Sequence, residues 1–308
     1  MATKITLIGK PEMGKTTIKK VIFEGENPNT LMLFPLEATI GTKYSVYDFM
    51  DVKISLVDTP GQSMPILLED EEKQIQIFEN ASAIIYIFDY AVWIAQPQDI
   101  INDIKKIFNI IQDRKFEAKI FLYLHKIDLI NQKIRGKLQI LKNQIINLLE
   151  LPVELPIYFT SLHPDLIYSI YNAISDTISS FSSEATNLKA LVNKVIKDLS
   201  RTACFVTNQN NSILIQAMTK DFDSSLNPHL HEKIYHLNQS SRDLTSKDTN
   251  LNVIDARSKI LYISIENINC FNPNFKKAIF VSETLGKKDL ITLMDKLKVE
   301  LNQLFKLN

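Results

Sequence analysis

The sequence predicts two domains of different class, an α/β domain with a mostly parallel sheet over residues 1–180 and a smaller α+β domain over residues 184–308. Three observations support this expectation. Short apolar runs alternate with amphipathic stretches in the first part of the chain, as they do in a parallel sheet flanked by helices. A glycine-containing turn joins the first apolar run to the first amphipathic stretch. A polar segment at residues 179–184 then precedes a different order of elements, with paired strands between helices.

The first domain is predicted from the length and order of its apolar segments. Its expected strands are residues 4–8, 53–57, 83–88, 119–124 and 157–160, and its expected helices are residues 15–23, 98–112, 135–149 and 166–178. Because the carboxyl ends of parallel strands meet at one edge of a sheet, we expect the functional residues to lie at those strand ends.

The second domain is predicted to begin with a helix at residues 188–200, where apolar side chains recur at three- and four-residue spacing. Helices before, between and after paired strands indicate an α+β domain. The elements expected after the first helix are a hairpin of strands 203–208 and 212–219, a helix at about 229–241, strands at about 251–266 and 276–284, and a closing helix at 287–305.

The composition excludes several classes of function. Lys plus Arg and Asp plus Glu number 35 each in the 308 residues, so no net positive charge attracts nucleic acid. The two cysteines, Cys204 and Cys270, show no CxxC spacing, which argues against metal or redox chemistry. No apolar run has the length of a signal-peptide core or a membrane span, so we expect a soluble, cytoplasmic protein without direct membrane insertion.

The turn after the first strand satisfies the G-x-x-x-x-G-K-[ST] pattern between a predicted strand and a predicted helix. In this pattern backbone amides and the helix N-terminus surround phosphate groups, so the loop is expected to bind a nucleotide. Lys15 is expected to reach the β- and γ-phosphate oxygens and to assist their chemistry, and Thr16 is expected to ligate Mg²⁺. The residues of this predicted site are Gly9, Lys10, Pro11, Glu12, Met13, Gly14, Lys15, Thr16 and Thr17.

A second candidate element, Asp58-Thr59-Pro60-Gly61-Gln62, follows the strand at 53–57. Asp58 is expected to hold Mg²⁺ through water, and the Gly61 amide to sense a γ-phosphate. Gln62 is expected to orient the attacking water. Taken alone, this string is a turn-forming sequence, but a phosphate loop upstream favours the catalytic interpretation.

A third candidate element, His125-Lys126-Ile127-Asp128, ends the strand at 119–124. The Asp128 carboxylate can accept hydrogen bonds from the N1–H and the exocyclic amine of guanine, which adenine does not offer. Lys126 is expected to lie along the base or to brace the phosphate loop. In the alternative interpretation, the same four residues only cap a helix. The partner loop that is expected to give a backbone amide to the base oxygen contains Thr160, Ser161 and Leu162.

Together these motifs resemble a Rag-type GTPase, the Ras-related family with a roadblock-like C-terminal domain. His125 in place of asparagine is typical of that family, and residues 36–39 resemble its first switch. The resemblance therefore implies that Thr39 coordinates Mg²⁺ and contacts the γ-phosphate. It also implies the fold, an α/β P-loop NTPase (small GTPase) domain followed by an α+β roadblock/longin-like domain, and the cofactors, GTP or GDP with Mg²⁺.

Two residues of the phosphate loop depart from many relatives. Pro11 removes an amide donor and can crowd Gln62 or an incoming arginine, and Glu12 places a carboxylate near phosphates unless it points outward. The sequence offers no arginine near Thr39 to act in cis, because the first arginine of the chain is Arg114. We therefore expect slow GTP hydrolysis.

The motifs predict a guanine-nucleotide-dependent switch, and the resemblance implies that it acts as one subunit of a Rag-like dimer. The C-terminal domain is expected to form a homo- or heterodimer, and effector and regulator proteins are expected to bind at the switch regions. Any recruitment to a membrane is expected to go through a partner. Two alternatives stay open, a nucleotide-locked scaffold that barely hydrolyses GTP and a P-loop kinase or ATPase that acts on a small substrate.

Overall fold

The protein forms two compact units, Met1–Ala173 and Ile174–Asn308. The computed structural model describes residues 3–24, 26, 28–33, 41–49, 51–131, 138–209, 213–223, 226, 230–231, 233–234, 250–256 and 259–306. Within these described residues, no helix is long and apolar enough to cross a lipid bilayer.

The first unit contains a six-stranded sheet with the order β2-β3-β1-β4-β5-β6. The neighbouring strands run parallel except for β2, which pairs antiparallel with β3. The mostly parallel sheet predicted from the sequence is therefore confirmed. The strands are β1 (Thr3–Ile8), β2 (Lys43–Phe49), β3 (Val52–Asp58), β4 (Ala81–Asp89), β5 (Lys119–His125) and β6 (Ile157–Phe159).

Helices of the first unit lie between most of these strands along the chain, whereas β3 follows β2 directly. A buried apolar core, which includes Val57, Phe78, Tyr86, Ile104 and Leu122, lies between sheet and helices. The helices are α1 (Lys15–Phe23), α2 (Pro28–Leu33), α3 (Met64–Glu69), α4 (Glu71–Phe78), α5 (Tyr90–Ala95), α6 (Pro97–Asp113) and α7 (Leu138–Leu149), and α8 (Tyr168–Ser179) crosses the division between the units. Short 3₁₀ turns lie at Gly61–Ser63, Ile127–Leu129 and Pro164–Leu166.

The parallel register brings the functional strand ends together. The register of β1 and β3 places Leu7 beside Asp58, so the phosphate loop after β1 and the acid at the end of β3 are neighbours. The register of β4 and β5 places Asp89 beside His125 at the same edge of the sheet. This edge therefore carries all the strand-end residues that the sequence singled out, as expected for parallel strands.

The second unit contains a five-stranded antiparallel sheet with the order β8-β7-β11-β10-β9. Its apolar core includes Phe205, Leu230, Ile263, Ile279 and Val281. The elements are α9 (Ser183–Ile196), β7 (Thr202–Asn208), β8 (Ile213–Met218), β9 (Asn250–Ala256), β10 (Lys259–Asn267), β11 (Phe275–Ser282) and α10 (Lys287–Lys306). The Ser182 side chain accepts a hydrogen bond from the Ala185 amide at 2.9 Å, which explains why α9 begins before the predicted residue 188.

The structure differs from the sequence-based expectation at several elements. Strand β2 and the helices α2 to α5 were not predicted, and the apolar stretch at 251–266 forms two strands, β9 and β10, in place of one. The parts of the predicted helices that fall on residues 135–137 and 235–241 lie outside the described residues, whereas residues 230, 231, 233 and 234 are helical.

Candidate nucleotide-binding site

The phosphate loop is the tight turn between β1 and α1. Gly14 immediately precedes α1 and has φ 86° and ψ 11°, a left-handed conformation that glycine adopts without steric cost. Glu12 has φ 63° and is exposed, so its carboxylate is not buried within the loop. Lys10 points away from the loop and pairs with Asp99, with 3.2 Å between Nζ and Oδ2.

Lys15 is a buried cation within the phosphate loop. Its Nζ donates hydrogen bonds to the carbonyl oxygens of Gly9, at 2.9 Å, and Lys10, at 2.8 Å. Burial lowers the pKa of Lys15 to about 8, against the opposing effect of the nearby Asp58 charge. Among the described residues the hydrogen bonds of this buried ammonium group go to carbonyl oxygens, so the group is suited to accept an anionic ligand.

Thr16 and Asp58 form the second part of the phosphate site. The Thr16 hydroxyl donates to Asp58 Oδ2 at 2.8 Å. Asp58 is fully buried, and its Oδ1 has no hydrogen-bond partner among the described residues. Burial raises the pKa of Asp58, while the Thr16 hydrogen bond and the Lys15 charge oppose that rise. A buried, unpaired carboxylate oxygen beside a hydroxyl fits the ligand preference of a hard cation such as Mg²⁺.

Gly61 lies directly against the phosphate loop. A Cβ atom at this position would lie 2.4 Å from the Pro11 nitrogen and 2.5 Å from the Pro11 Cα. Only glycine allows this approach, because the obstructing atoms are backbone. Gln62 is exposed on the 3₁₀ turn that Gly61 begins. The structure thus brings Gly61 to the loop and leaves the Gln62 side chain at the surface, while Thr39 lies outside the described residues.

The predicted base-reading residues form one hydrogen-bonded group. The Ser161 hydroxyl donates to Asp128 Oδ1 and accepts a hydrogen bond from the His163 amide at 2.9 Å. The Ile127 amide donates to the Thr160 carbonyl oxygen at 3.2 Å, which ties the two loops together. These contacts fix the orientation of the Asp128 carboxylate.

His125 connects the base-reading loops to the phosphate loop. Its side chain is buried, with 3.0 Å between Nδ1 and the Thr160 hydroxyl oxygen. A Cβ atom at Gly14 would lie 2.9 Å from His125 Cδ2 and 3.1 Å from Nε2, so the imidazole ring packs against the Gly14 backbone. Burial, followed by the Lys126 charge, lowers the pKa of His125 to about 4, and the ring is therefore neutral at pH 7.

Two further residues contact the site although sequence reasoning did not select them. Asp89 ends β4, and its Oδ2 lies 3.1 Å from Lys126 Nζ. Ser169 Oγ accepts a hydrogen bond from the Ser161 amide at 2.9 Å. An acidic residue at a strand end is a signal that could have identified Asp89, but nothing local in the sequence distinguishes Ser169.

Comparison with known proteins gives matches to GTP-binding proteins. The family model described as the Gtr1/RagA G protein conserved region matches residues 4–237. The chain is 29% identical over 175 residues to the Ras-related GTP-binding protein A of Dictyostelium discoideum, an alignment of 56% of this chain and 57% of that protein. It is 27% identical over 197 residues to the GTP-binding protein GTR1 of Saccharomyces cerevisiae, with 60% of each chain aligned.

A third relative aligns over a longer region. The chain is 20% identical over 241 residues to the GTP-binding protein gtr1 of Schizosaccharomyces pombe, which covers 77% of this chain and 75% of that protein. The chain spans less than two thirds of the length of the first two relatives.

Proposed function

The chain belongs to the Gtr1/RagA G-protein family, and we propose that it is a guanine-nucleotide-dependent molecular switch that slowly hydrolyses GTP. The single observation that carries the proposal is the arrangement of the buried Lys15 and Asp58 and the partly buried Thr16 around a phosphate loop. Lys15 is suited to neutralise phosphate oxygens, and Thr16 and Asp58 are suited to hold Mg²⁺.

The fold agrees with the family in both units. The first unit is a P-loop GTPase domain with a mixed, largely parallel sheet, and the family model covers it almost completely. The antiparallel sheet of the second unit, with its helices α9 and α10, fits a roadblock-like domain. The predicted fold class and the resemblance to Rag-type GTPases are thus confirmed.

In the proposed nucleotide complex, the backbone of residues 9–17 surrounds the phosphates and Lys15 neutralises the β and γ oxygens. Thr16, Asp58 and Thr39 would hold Mg²⁺, which when bound supplies positive charge beside the same oxygens. The Oδ1 atom of Asp58 supports this assignment, because it has no hydrogen-bond partner in the described part of the chain, and such a buried carboxylate oxygen is unfavourable unless a ligand satisfies it.

The base specificity is proposed to rest on Asp128. Its carboxylate, oriented by Ser161, would accept hydrogen bonds from the guanine N1–H and exocyclic amine. The Ser161 amide already donates to Ser169, so we assign the contact to the base oxygen to the next amide of that loop, Leu162. Lys126 would extend its methylene groups along the base.

The proposed hydrolysis is slow for two structural reasons. Gln62, which would orient the attacking water, is exposed, so its side chain is not held in one position by packing. Pro11 contributes no amide donor, and the Gly61 backbone already lies against it. The close approach of Gly61 to Pro11 also favours a second candidate function, that of a scaffold which holds GTP or GDP and barely hydrolyses GTP.

We propose that residues 184–308 mediate pairing with a second roadblock-like domain, either from another copy or from a paralogue. The support is the sheet itself, because its terminal strands β8 and β9 have a strand neighbour on one side only among the described residues. Effectors and regulators would bind near the switch residues Thr39 and Gln62. We place the protein in the cytoplasm, with a partner responsible for any membrane recruitment.

The test of the function is the nucleotide that the purified protein carries and turns over. We expect GDP or GTP to copurify, and fluorescent GDP to bind far more tightly than fluorescent ADP. Lys15→Ala and Thr16→Asn should weaken Mg²⁺-dependent binding, whereas Glu300→Gln, a change in the second unit, should not. Wild-type affinity in both phosphate-loop variants would contradict the assignment. A single-turnover GTP assay then separates the switch from the scaffold.

A further inference from the structure

Asp89 and Lys126 lie at the same edge of the first unit's sheet. Asp89 is the last residue of β4, and the register pairs it with His125, the last residue of β5. Lys126 therefore follows directly after β5, the strand that pairs with β4 at Asp89. The Asp89 Oδ2 and Lys126 Nζ atoms are 3.1 Å apart, which is an ion pair with hydrogen-bond geometry.

The orientation of the Asp89 carboxylate is set by a second contact. Its Oδ1 accepts a hydrogen bond from the Val92 amide at 2.8 Å and so caps the N-terminus of α5. The cap directs Oδ2 toward Lys126. Asp89 is buried, with 9% of its side chain exposed, whereas 31% of the Lys126 side chain is exposed. The buried Asp89 carboxylate is therefore the fixed member of the pair, and it holds the more exposed Lys126 side chain in place.

The backbone of Lys126 also requires support. It has φ 58° and ψ 40°, a left-handed conformation that is unfavourable for lysine. Such a conformation persists where surrounding contacts determine it, and it is frequent at functional sites. The ion pair to Asp89 is such a contact, because it holds the far end of the same side chain.

We propose that Asp89 is a positioning residue for guanine-nucleotide binding, which acts by holding Lys126 extended across the base site. This inference rests on the proposed nucleotide-binding function. Asp89 does not touch the nucleotide in this arrangement. Its carboxylate fixes the ammonium group, so that the lysine methylene groups are already placed when the base enters.

The experiment compares dissociation of fluorescent GDP from four full-length proteins: wild type, Asp89→Asn, Lys126→Met and the double variant. Asp89→Asn keeps the oxygen that caps α5 and removes the charge. We expect it to accelerate dissociation by about five- to tenfold, since the pair is partly buried. In the Lys126→Met background the same change should have no further effect, because Asp89 acts through that lysine.

A matched control is Glu300→Gln, which neutralises the carboxylate of the Lys194–Glu300 pair in the second unit and should leave dissociation unchanged. If Asp89→Asn lowers the melting temperature strongly, Asp89→Ser supplies the same comparison with a different capping oxygen. Unchanged dissociation in Asp89→Asn, or an equal acceleration with and without Lys126, would overturn the inference. Absence of guanine-nucleotide binding in the wild type would instead refute the proposed function.

Discussion

Replacing Gly14 by alanine should disrupt the phosphate loop through two separable effects. Gly14 has φ +86°, and a residue with a side chain in the left-handed region costs about 1–2 kcal/mol. The new Cβ would also lie 2.9 Å from His125 Cδ2, and overpacking in a buried site costs about 1–3 kcal/mol. The total of roughly 2–5 kcal/mol is divided between GDP binding and folding stability. If all of it fell on binding, GDP affinity would decrease by about 30- to 4,000-fold.

The assay is a double-mutant cycle of Gly14→Ala and His125→Ala, with both GDP affinity and the denaturant midpoint measured. The obstruction at Gly14 is a side chain, so removal of the imidazole should relieve it and leave only the backbone strain. We expect the penalty of Gly14→Ala to fall by about 1–3 kcal/mol in the His125→Ala background.

Gly61→Ala supplies the matched comparison for this cycle. Its obstruction is the Pro11 backbone, with a distance of 2.4 Å to the nitrogen, so His125→Ala should not relieve it. Should Gly14→Ala carry the same penalty with and without the imidazole, the proposed packing of His125 on the phosphate loop would be wrong.

Four further predictions follow from the site and from the second unit. Asp128→Asn should lower the preference for GTP over XTP, measured by competition, because the exocyclic oxygen of xanthine needs a donor; an unchanged preference would remove Asp128 from the base site. Gln62→Leu should slow single-turnover hydrolysis and leave GTP affinity nearly unchanged, since water orientation acts in the transition state. The lowered pKa of Lys15, about 8 in the folded protein, means that the unfolded chain binds more protons between pH 8 and 10.5. Between these pH values the melting temperature of the nucleotide-free wild type should therefore rise relative to that of the Lys15→Met variant. The same pH dependence in both proteins would contradict the burial of this cation. Fragment 184–308 should be dimeric by light scattering at micromolar concentration, whereas a monomer that also fails to pair with a coexpressed relative would defeat the assembly proposal.

The phosphate loop could be predicted because its chemistry lies in consecutive residues. The string from Gly9 to Thr16 needs only its place between a strand and a helix, and both elements were predicted from apolar periodicity. Asp58 and His125 were likewise predicted as strand ends. Their meeting at one edge follows from parallel topology, which the alternation of strands and helices indicated.

The strand and the helices that the sequence did not predict are either weakly buried or short, so they show no strong periodicity of apolar residues. Strand β2 lies at the sheet edge, where Tyr44 and Val46 are 51% and 61% exposed, so its sequence shows little of the contrast between a buried and a solvent face. Helices α2 to α5 are six to eight residues long, too short for a helical period to be recognised. The junction of β9 and β10 contains no glycine or proline, which explains why the sequence pattern predicts one strand over residues 251–266.

The ion pair of Asp89 and Lys126 could not be predicted for a different reason. It depends on the register between β4 and β5, and a shift of one residue would have turned the acid toward the other face. The contact between His125 and Gly14 also depends on strand alignment, because it joins the end of β5 to the phosphate loop after β1. Periodicity predicts which strands exist, whereas these contacts depend on how the strands are aligned.

The electrostatics of the phosphate site link nucleotide binding to stability. Burial lowers the pKa of Lys15 and raises the pKa of Asp58, so both groups are less favourable as charges than they would be in water. The charge of each residue offsets only part of the shift that burial causes in the pKa of the other. A phosphate group offers Lys15 a counter-charge, and a divalent cation offers one to Asp58 Oδ1, which no described residue hydrogen-bonds. Because the unfolded chain has no such site, these favourable interactions add to the free energy of unfolding, and the fold should be markedly more stable with Mg²⁺ and nucleotide than without them.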